Sequence, residues 1–296
     1  MNIVFAATGG PLALESLAAL AARHRIVAVI RPAPAPGPLW KRAARRVLQA
    51  VGARPSDSVG RWTRAAGGGI RTILTASRTD AHLAEALRGC APDLLCIASF
   101  PWLFPDDILG IPAAGALNLH PSLLPRHRGP NPFFWTYYHD DREAGITAHV
   151  ATARADAGPI VAQHRTALTR GLPVEQLYLT LAAAGAGVMT EAVDRMAAGR
   201  ASGTPQDEAL ATRAPHVHPG SPMVDFASWG AERVWHFLAG LIPRFREPVR
   251  DEAGRLIRYR AVTGYETGAP RGKPGVATRA AHGWMLWCKD GGVALR

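Results

Sequence analysis

The run Asn2-Ile-Val-Phe-Ala-Ala-Thr-Gly-Gly-Pro11 decides the fold class. It is an apolar strand that breaks at Thr8-Gly9-Gly10-Pro11, after which Leu12, Leu17, Leu20 and Ala21 recur at helical spacing. A second apolar run, residues 26–30, follows at once. Strand, helix and strand in that order argue for an α/β chain built on a parallel, doubly wound sheet. Thr8-Gly9-Gly10 lacks the G-x-G-x-x-G spacing of a dinucleotide fingerprint, and a tight strand-to-helix turn accounts for the pair.

Working outward, residues 32–38 form a Pro/Ala-rich connector, and residues 39–51 show a helical face of Trp40, Ala43, Val47 and Val51 opposite a basic cluster. Residues 53–68 read as loop, with Gly67-Gly68-Gly69 as punctuation, since no Lys-Ser/Thr follows to make a phosphate cradle. Strands are expected at 70–74, 93–98, 116–119, 145–151 and 160–163. Helices are expected at 79–88, capped by Thr79 or Asp80, and over Ala-rich residues 177–196. The apolar, aromatic loop 99–105 leaves the C-terminal end of a strand, the usual ligand position in an open α/β sheet. The domain reading is 1–198 for the doubly wound domain, 199–222 for a linker and 223–296 for a small β-rich domain. The last has a helix at 231–242, strand-like fragments at 256–262, 275–278 and 284–288, and the look of an oligonucleotide-binding (OB-like) barrel. No internal repeat is evident.

Composition bounds the classes. In 296 residues, 48% apolar and 19% charged side chains fit a globular chain with a sizeable core. No stretch approaches the roughly 18 apolar residues of a membrane span, and the N-terminal run lacks the layout of a signal peptide, so a cytoplasmic protein with no membrane partner is expected. Cys90, Cys96 and Cys288 lack metal or redox spacing and read as free thiols. The formal charge is +11, and residues 41–64 alone carry +6 through Lys41, Arg42, Arg45, Arg46, Arg54, Arg61 and Arg64 against Asp57. Such a patch either attracts phosphates, tRNA included, or is a solvated Arg-rich face.

The chemistry lies in residues 115–132, Gly-Ala-Leu-Asn-Leu-His-Pro-Ser-Leu-Leu-Pro-Arg-His-Arg-Gly-Pro-Asn-Pro. Asn118 and His120 are two apart on an extended run and point the same way. With Asp156, which follows in Asp156-x-Gly158-x-Ile160, they supply an amide, an imidazole and a carboxylate, the parts needed to transfer an acyl group to an amine. His127, His139 and His149 fit no metal-ligand spacing, and no metal is expected.

Asn118-x-His120-Pro-Ser-Leu-Leu-Pro-x-x-x-Gly129 with Asp156-x-Gly158-x-Ile160 resembles the 10-formyltetrahydrofolate-dependent formyltransferases, which include the methionyl-tRNA, glycinamide ribonucleotide and amino-sugar enzymes. The match is firm over residues 93–163 and extends weakly through Gly203-Thr-Pro-Gln206 and Ala211-Thr212. The resemblance implies a Rossmann-like formyltransferase fold with a second, small domain, and 10-formyltetrahydrofolate as co-substrate. It implies Asn118, His120 and Asp156 as the catalytic residues. It also implies donor contacts from Phe100, Leu103, Phe104, His149 and Gly158, and acceptor contacts from Ser122, Arg128, Gly129, Asn131 and Trp135. Where the family loop has Tyr-Gly this chain has Phe100-Pro101, and Pro101 supplies no N–H.

The acceptor is open. The housekeeping tRNA enzyme has Ala-Gly-Thr-Pro and Arg-Gly-Ala-Ala-Pro where this chain has Ala7-Thr8-Gly9-Gly10 and Arg128-Gly129-Pro130-Asn131-Pro132. These departures lean towards a small primary amine, such as an amino sugar or an amino-acid-derived metabolite. Methionyl-tRNA is the alternative, and a hydrolase or folate-binding protein is the reading from another class. Phe133, Phe134, Trp135, Tyr137 and Tyr138 either stack on the acceptor or form the core face of a helix.

Overall fold

The computed structural model describes residues 1–33, 58–66, 69–199 and 203–296. The expected basic helix at 39–51, with Arg42, Arg45 and Arg46, lies outside the described residues. The chain divides into two compact units: 1–129, 145–165 and 178–213 form the first, and 130–144, 166–177 and 214–296 the second.

The first unit is built on β1 (Asn2–Ala7), α1 (Pro11–Ala21), β2 (Arg25–Pro32), α2 (Ser58–Ala65), β3 (Arg71–Thr75), α3 (Ala81–Arg88), β4 (Leu94–Ala98), α4 (Asp106–Leu109) and β5 (Ala116–His120). The sheet runs β3-β2-β1-β4-β5 and continues to β6 (Glu143–Val150) and β7 (Ile160–Ala167), seven strands in all. β3 to β5 are parallel, and β6 pairs antiparallel with β5. The mostly parallel, Rossmann-like sheet expected from residues 1–30 is therefore the observed one.

β1 and β4 are apolar on both faces because both faces are covered, and Ile3, Val4, Phe5, Leu94, Leu95 and Cys96 are all fully buried. The strand order reverses between β1 and β4, and in open α/β sheets a ligand binds beyond the strand ends at such a reversal. There the Thr8 N–H donates to the Ser99 carbonyl at 3.1 Å. Helix α6 (Val174–Ala197) packs over this sheet through Gly185, where an added Cβ would stand 2.7 Å from Ile146 and about as near Leu12 and Leu119. Asp80, not Thr79, caps α3, accepting from the His82 N–H at 3.1 Å.

Residues 53–68, expected as loop, contain α2. Val59 and Thr63, four apart, are buried on one side of it, and burial of that short stripe overrides the polar composition.

The second unit carries α5 (Pro132–Tyr138), α7 (Ala231–Leu241) and a five-stranded sheet in the order β8-β10-β11-β12-β9. Its strands are β8 (Arg250–Asp251), β9 (Val262–Thr267), β10 (Val276–Ala280), β11 (Gly283–Cys288) and β12 (Gly291–Leu295). All pairings are antiparallel except β8 with β10, so the small β-rich region is present. The strand expected at 256–262 instead begins at Val262, because Tyr259 is buried and its hydroxyl donates to the Glu247 carbonyl at 3.0 Å. The aromatic run is the core face of a helix: Phe134 lies 5.5 Å from Phe237 and 5.0 Å from Phe245, ring centre to ring centre.

Glu247 and Asp251 are the carboxyl-bearing residues buried in this unit, and Glu247 is the deeper. Glu247 accepts from the Met223 N–H at 2.9 and 3.1 Å and from the Val224 N–H at 3.3 Å. Burial pushes it up to about 7, more than those two backbone donors pull it down. A carboxyl raised in the folded state binds more protons than the unfolded chain, so this group's contribution falls as pH rises from its ordinary value through about 7. Glu247→Gln is expected to flatten the decline in melting temperature between about pH 5 and 8. Identical slopes for the variant and the parent in scanning calorimetry would refute that.

Among the described residues no helix is long and apolar enough to cross a membrane.

Candidate functional site

Three side chains meet because of strand geometry alone. Asn118 and His120 occupy alternate positions of β5, and His149 is the register partner of Asn118 on antiparallel β6. All three therefore project from one face of the sheet. Asp156 comes from the turn after β6 and completes the cluster. The Asn118 amide nitrogen donates to Asp156 Oδ1 at 3.1 Å and to His149 Nε2 at 3.1 Å. His120 Nδ1 lies 3.5 Å and His149 Nε2 lies 3.4 Å from the same carboxylate oxygen. Asp156 Oδ2 accepts from the Gly129 N–H at 2.9 Å.

A carbonyl only accepts, so the ring hydrogen bonds assign the tautomers. His149 Nδ1 donates to the Val150 carbonyl at 2.9 Å, which leaves Nε2 bare to accept from Asn118. His120 Nε2 donates to the His127 carbonyl at 2.9 Å, which leaves Nδ1 facing Asp156. Burial drives the His120 imidazole below its ordinary value, and the Asp156 charge with the His127 carbonyl only partly offsets this. Burial on its own pushes the Asp156 carboxyl up, but the charges that His120 and His149 carry when protonated, together with the Gly129 N–H, outweigh it and hold it down to about 2. At neutral pH the resting site thus pairs a neutral His120 with an ionised Asp156.

The backbone around Asp156 is tightly determined. Asp156 itself has φ 50, the left-handed region that few non-glycine residues adopt. Two residues on, an added Cβ at Gly158 would stand 1.9 Å from the Val150 carbonyl oxygen, so only glycine fits.

Phe100, Trp102 and Phe104 form an aromatic wall on the loop leaving β4. Phe100 stacks on Phe104 at 4.9 Å, and Trp102 meets Phe100 edge-on at 5.5 Å. Phe104 is buried, while Leu103 is exposed. Ser122 is buried and donates to the Arg126 carbonyl at 2.7 Å. Arg128 is buried and spends its guanidinium on Gln206 and Glu208. Asn131 and Trp135 belong to the second unit, where the Asn131 N–H donates to the Ala214 carbonyl and Trp135 Nε1 to the Pro215 carbonyl.

Residues 1–193 match the formyl transferase family along their length. The chain belongs to that family. A methionyl-tRNA formyltransferase from Moorella thermoacetica is 30% identical over 82% of this chain and 74% of its own length. Among solved structures, an N-formyltransferase from Helicobacter canadensis, crystallised with folinic acid and dTDP-3-aminofucose, superposes with a TM-score of 0.69. It is 14% identical and covers 100% of this chain and 98% of that one. HypX from Aquifex aeolicus, in complex with tetrahydrofolic acid, superposes at 0.63 with 17% identity. All of this chain is covered there, but only 43% of HypX. A formyl-transferring enzyme on a Rossmann-like sheet is what family and fold establish.

Sequence reading gave no role to Gln206, whose amide donates to the carbonyls of Asp156 and Gly158. The signal available was the motif continuation Gly203-Thr-Pro-Gln206, which marks kinship without saying what the glutamine touches.

Proposed function

We propose that the chain transfers the formyl group of 10-formyltetrahydrofolate to a primary amine, and that the acceptor is a small molecule. The observation that carries this reading is the convergence of Asn118, His120 and Asp156, with the amide 3.1 Å and the imidazole 3.5 Å from one carboxylate oxygen. Attack of a neutral amine on the formyl carbon moves negative charge onto the formyl oxygen and leaves a proton to be removed. The Asn118 amide, which at rest gives its two hydrogens to Asp156 and His149, is suited to redirect one of them to that oxygen as charge builds there. Asp156 is ionised and takes the amine's proton directly or through a water. Buried His120 is neutral at rest. When the proton taken by Asp156 passes on to His120 Nδ1, Asp156 is ionised again and balances the imidazolium charge, and the Nδ1–H serves as the second donor to the oxyanion. Return of the proton to the departing folate nitrogen completes the cycle.

Phe100, Leu103 and Phe104, with His149 and Gly158, are proposed to hold the folate head group. The stacked Phe100–Phe104 pair and the open edge at Leu103 suit a flat aromatic ring. The altered flanks Thr8-Gly9-Gly10 and Pro130-Asn131-Pro132 support a small acceptor. A second reading, methionyl-tRNA as acceptor, is favoured by the name of the 30% identical relative.

The test is turnover of 10-formyltetrahydrofolate with a panel of amino-sugar nucleotides and amino acids, beside charged initiator tRNA. A formylated small amine is the expected product. Formylation of tRNA alone would replace the first reading by the second, and formate with no formylated amine would make the chain a hydrolase.

A further inference from the structure

Residues 203–213 are tied to the first unit at both ends. The Thr204 and Ile160 backbones exchange two hydrogen bonds of 2.8 Å, and the Arg128 N–H donates to the Thr212 carbonyl at 2.9 Å. Between these ties Gln206 reaches the turn that carries Asp156. Its Nε2 donates to the Asp156 carbonyl at 2.8 Å and to the Gly158 carbonyl at 2.7 Å. Its Oε1 accepts from Arg128 Nε at 3.0 Å and from Nη2 at 2.8 Å. Arg128 Nη1 then reaches both carboxylate oxygens of Glu208, at 3.1 and 3.0 Å. Every hydrogen-bonding position of the Gln206 amide is used, two given and two received.

A non-glycine residue at φ 50 keeps that conformation only where its surroundings over-determine it. The Gly129 N–H fixes the Asp156 side chain, and the Gln206 bracket fixes its main chain from the other direction. We infer that Gln206, aimed by the Arg128–Glu208 pair, is a positioning residue that keeps the Asp156 carboxylate in register with Asn118 and His120. The inference rests on the reading of Asp156 as the catalytic carboxylate. It also gives buried Arg128 a supporting task in place of an acceptor contact.

The two carbonyls only accept, so position 206 must donate twice. Gln206→Glu tests this without removing bulk. The new carboxylate still accepts from Arg128, now as an ion pair, but sets oxygen against two carbonyl oxygens. The expected result is a folded protein with kcat lowered about 10- to 100-fold, the range for losing a residue that orients a reacting group. KM for the acceptor stays within about threefold. Freed from His120, Asp156 drifts up from about 2, so an acid limb appears in the pH–rate profile near the ordinary carboxylate value of about 4. Hydrogen exchange at the Gly129 amide, which reports its bond to Asp156 without any turnover, is expected to quicken. Gln206→Met, which removes both donors without adding charge, should behave alike and serves if the glutamate variant does not fold. Parent-like kcat and pH profile in a folded variant, or a lost kcat with Gly129 exchange unchanged, would overturn the inference. Faster Gly129 exchange in a protein that formylates no amine would instead bring down the functional reading and leave the bracket standing.

Discussion

Asp156→Asn is expected to lower kcat by about 10²- to 10⁴-fold while the protein still folds and binds the proposed folate donor, the scale expected for loss of a positioned proton acceptor. The carboxylate is the only group in the cluster that both Asn118 and the Gly129 N–H address, one on each oxygen. An asparagine has one oxygen for those two donors. If it faces Gly129, its NH₂ meets the Asn118 NH₂, donor against donor. If it turns over, the Gly129 N–H loses its acceptor. Either way Asn118 is no longer aimed, and His120 loses the charge that would balance its proton. The variant folds but is less stable than the parent at neutral pH, because it gives up the stability contributed by the ionised carboxyl. Its value is depressed to about 2, so that contribution is complete above the ordinary unfolded value of 3.8 and vanishes as pH falls through about 2. The checks are steady-state turnover and calorimetric titration with 5-formyltetrahydrofolate. Turnover within tenfold of the parent would remove Asp156 from the mechanism.

How far the chain discloses this in advance follows from the range over which each signal acts. β1, β2, β4 and β5 are legible because strands buried on both faces need unbroken apolar runs, and residues 3–7 and 94–98 have them. Asn118 and His120 are legible for a related reason, since period two on a strand is a local rule. β12 is not legible. Its Gly291-Gly292 start looks like a turn, yet an added Cβ at Gly291 would lie 2.0 Å from the Glu266 carbonyl oxygen, so the glycine serves a close approach that only pairing with β9 reveals. Helix α2 escapes for the opposite reason. Its composition is polar, and Val59, Gly60 and Thr63 alone are buried to hold it. The tie between Gln206 and Asp156 spans 50 residues of chain, and no periodicity connects them. His149 falls between these extremes. Its place on a strand is readable, but its position opposite Asn118 needs the register of β5 on β6.

Gly158→Ala should cost both stability and activity, although it adds a single methyl group. Nothing about the Gly158 backbone dihedral forbids alanine; the obstacle is space. The new Cβ would sit 1.9 Å from the Val150 carbonyl oxygen and 2.9 Å from its carbon, with Thr152 Cγ2 at 3.2 Å on the far side. Two backbone segments already joined by the Val150 N–H to the Pro159 carbonyl at 2.9 Å would have to part by on the order of 1 Å, and backbone does not yield as a flexible side chain does. Overpacking of this kind costs about 1–3 kcal/mol. The displacement then spreads both ways, to His149 just before Val150 and to Asp156 two residues before Gly158. Misplacing a reacting group by about 1 Å costs about 10²-fold in kcat. Gly187→Ala is the control. Gly187 lies within α6 with nothing within 4 Å of an added Cβ, so the same substitution should be neutral or stabilise by about 0.5–1 kcal/mol and leave turnover alone. Thermal melts and kcat for the two variants separate the arguments. A Gly158→Ala protein as stable and as active as Gly187→Ala would mean that the Val150–Gly158 approach does not hold Asp156 in place.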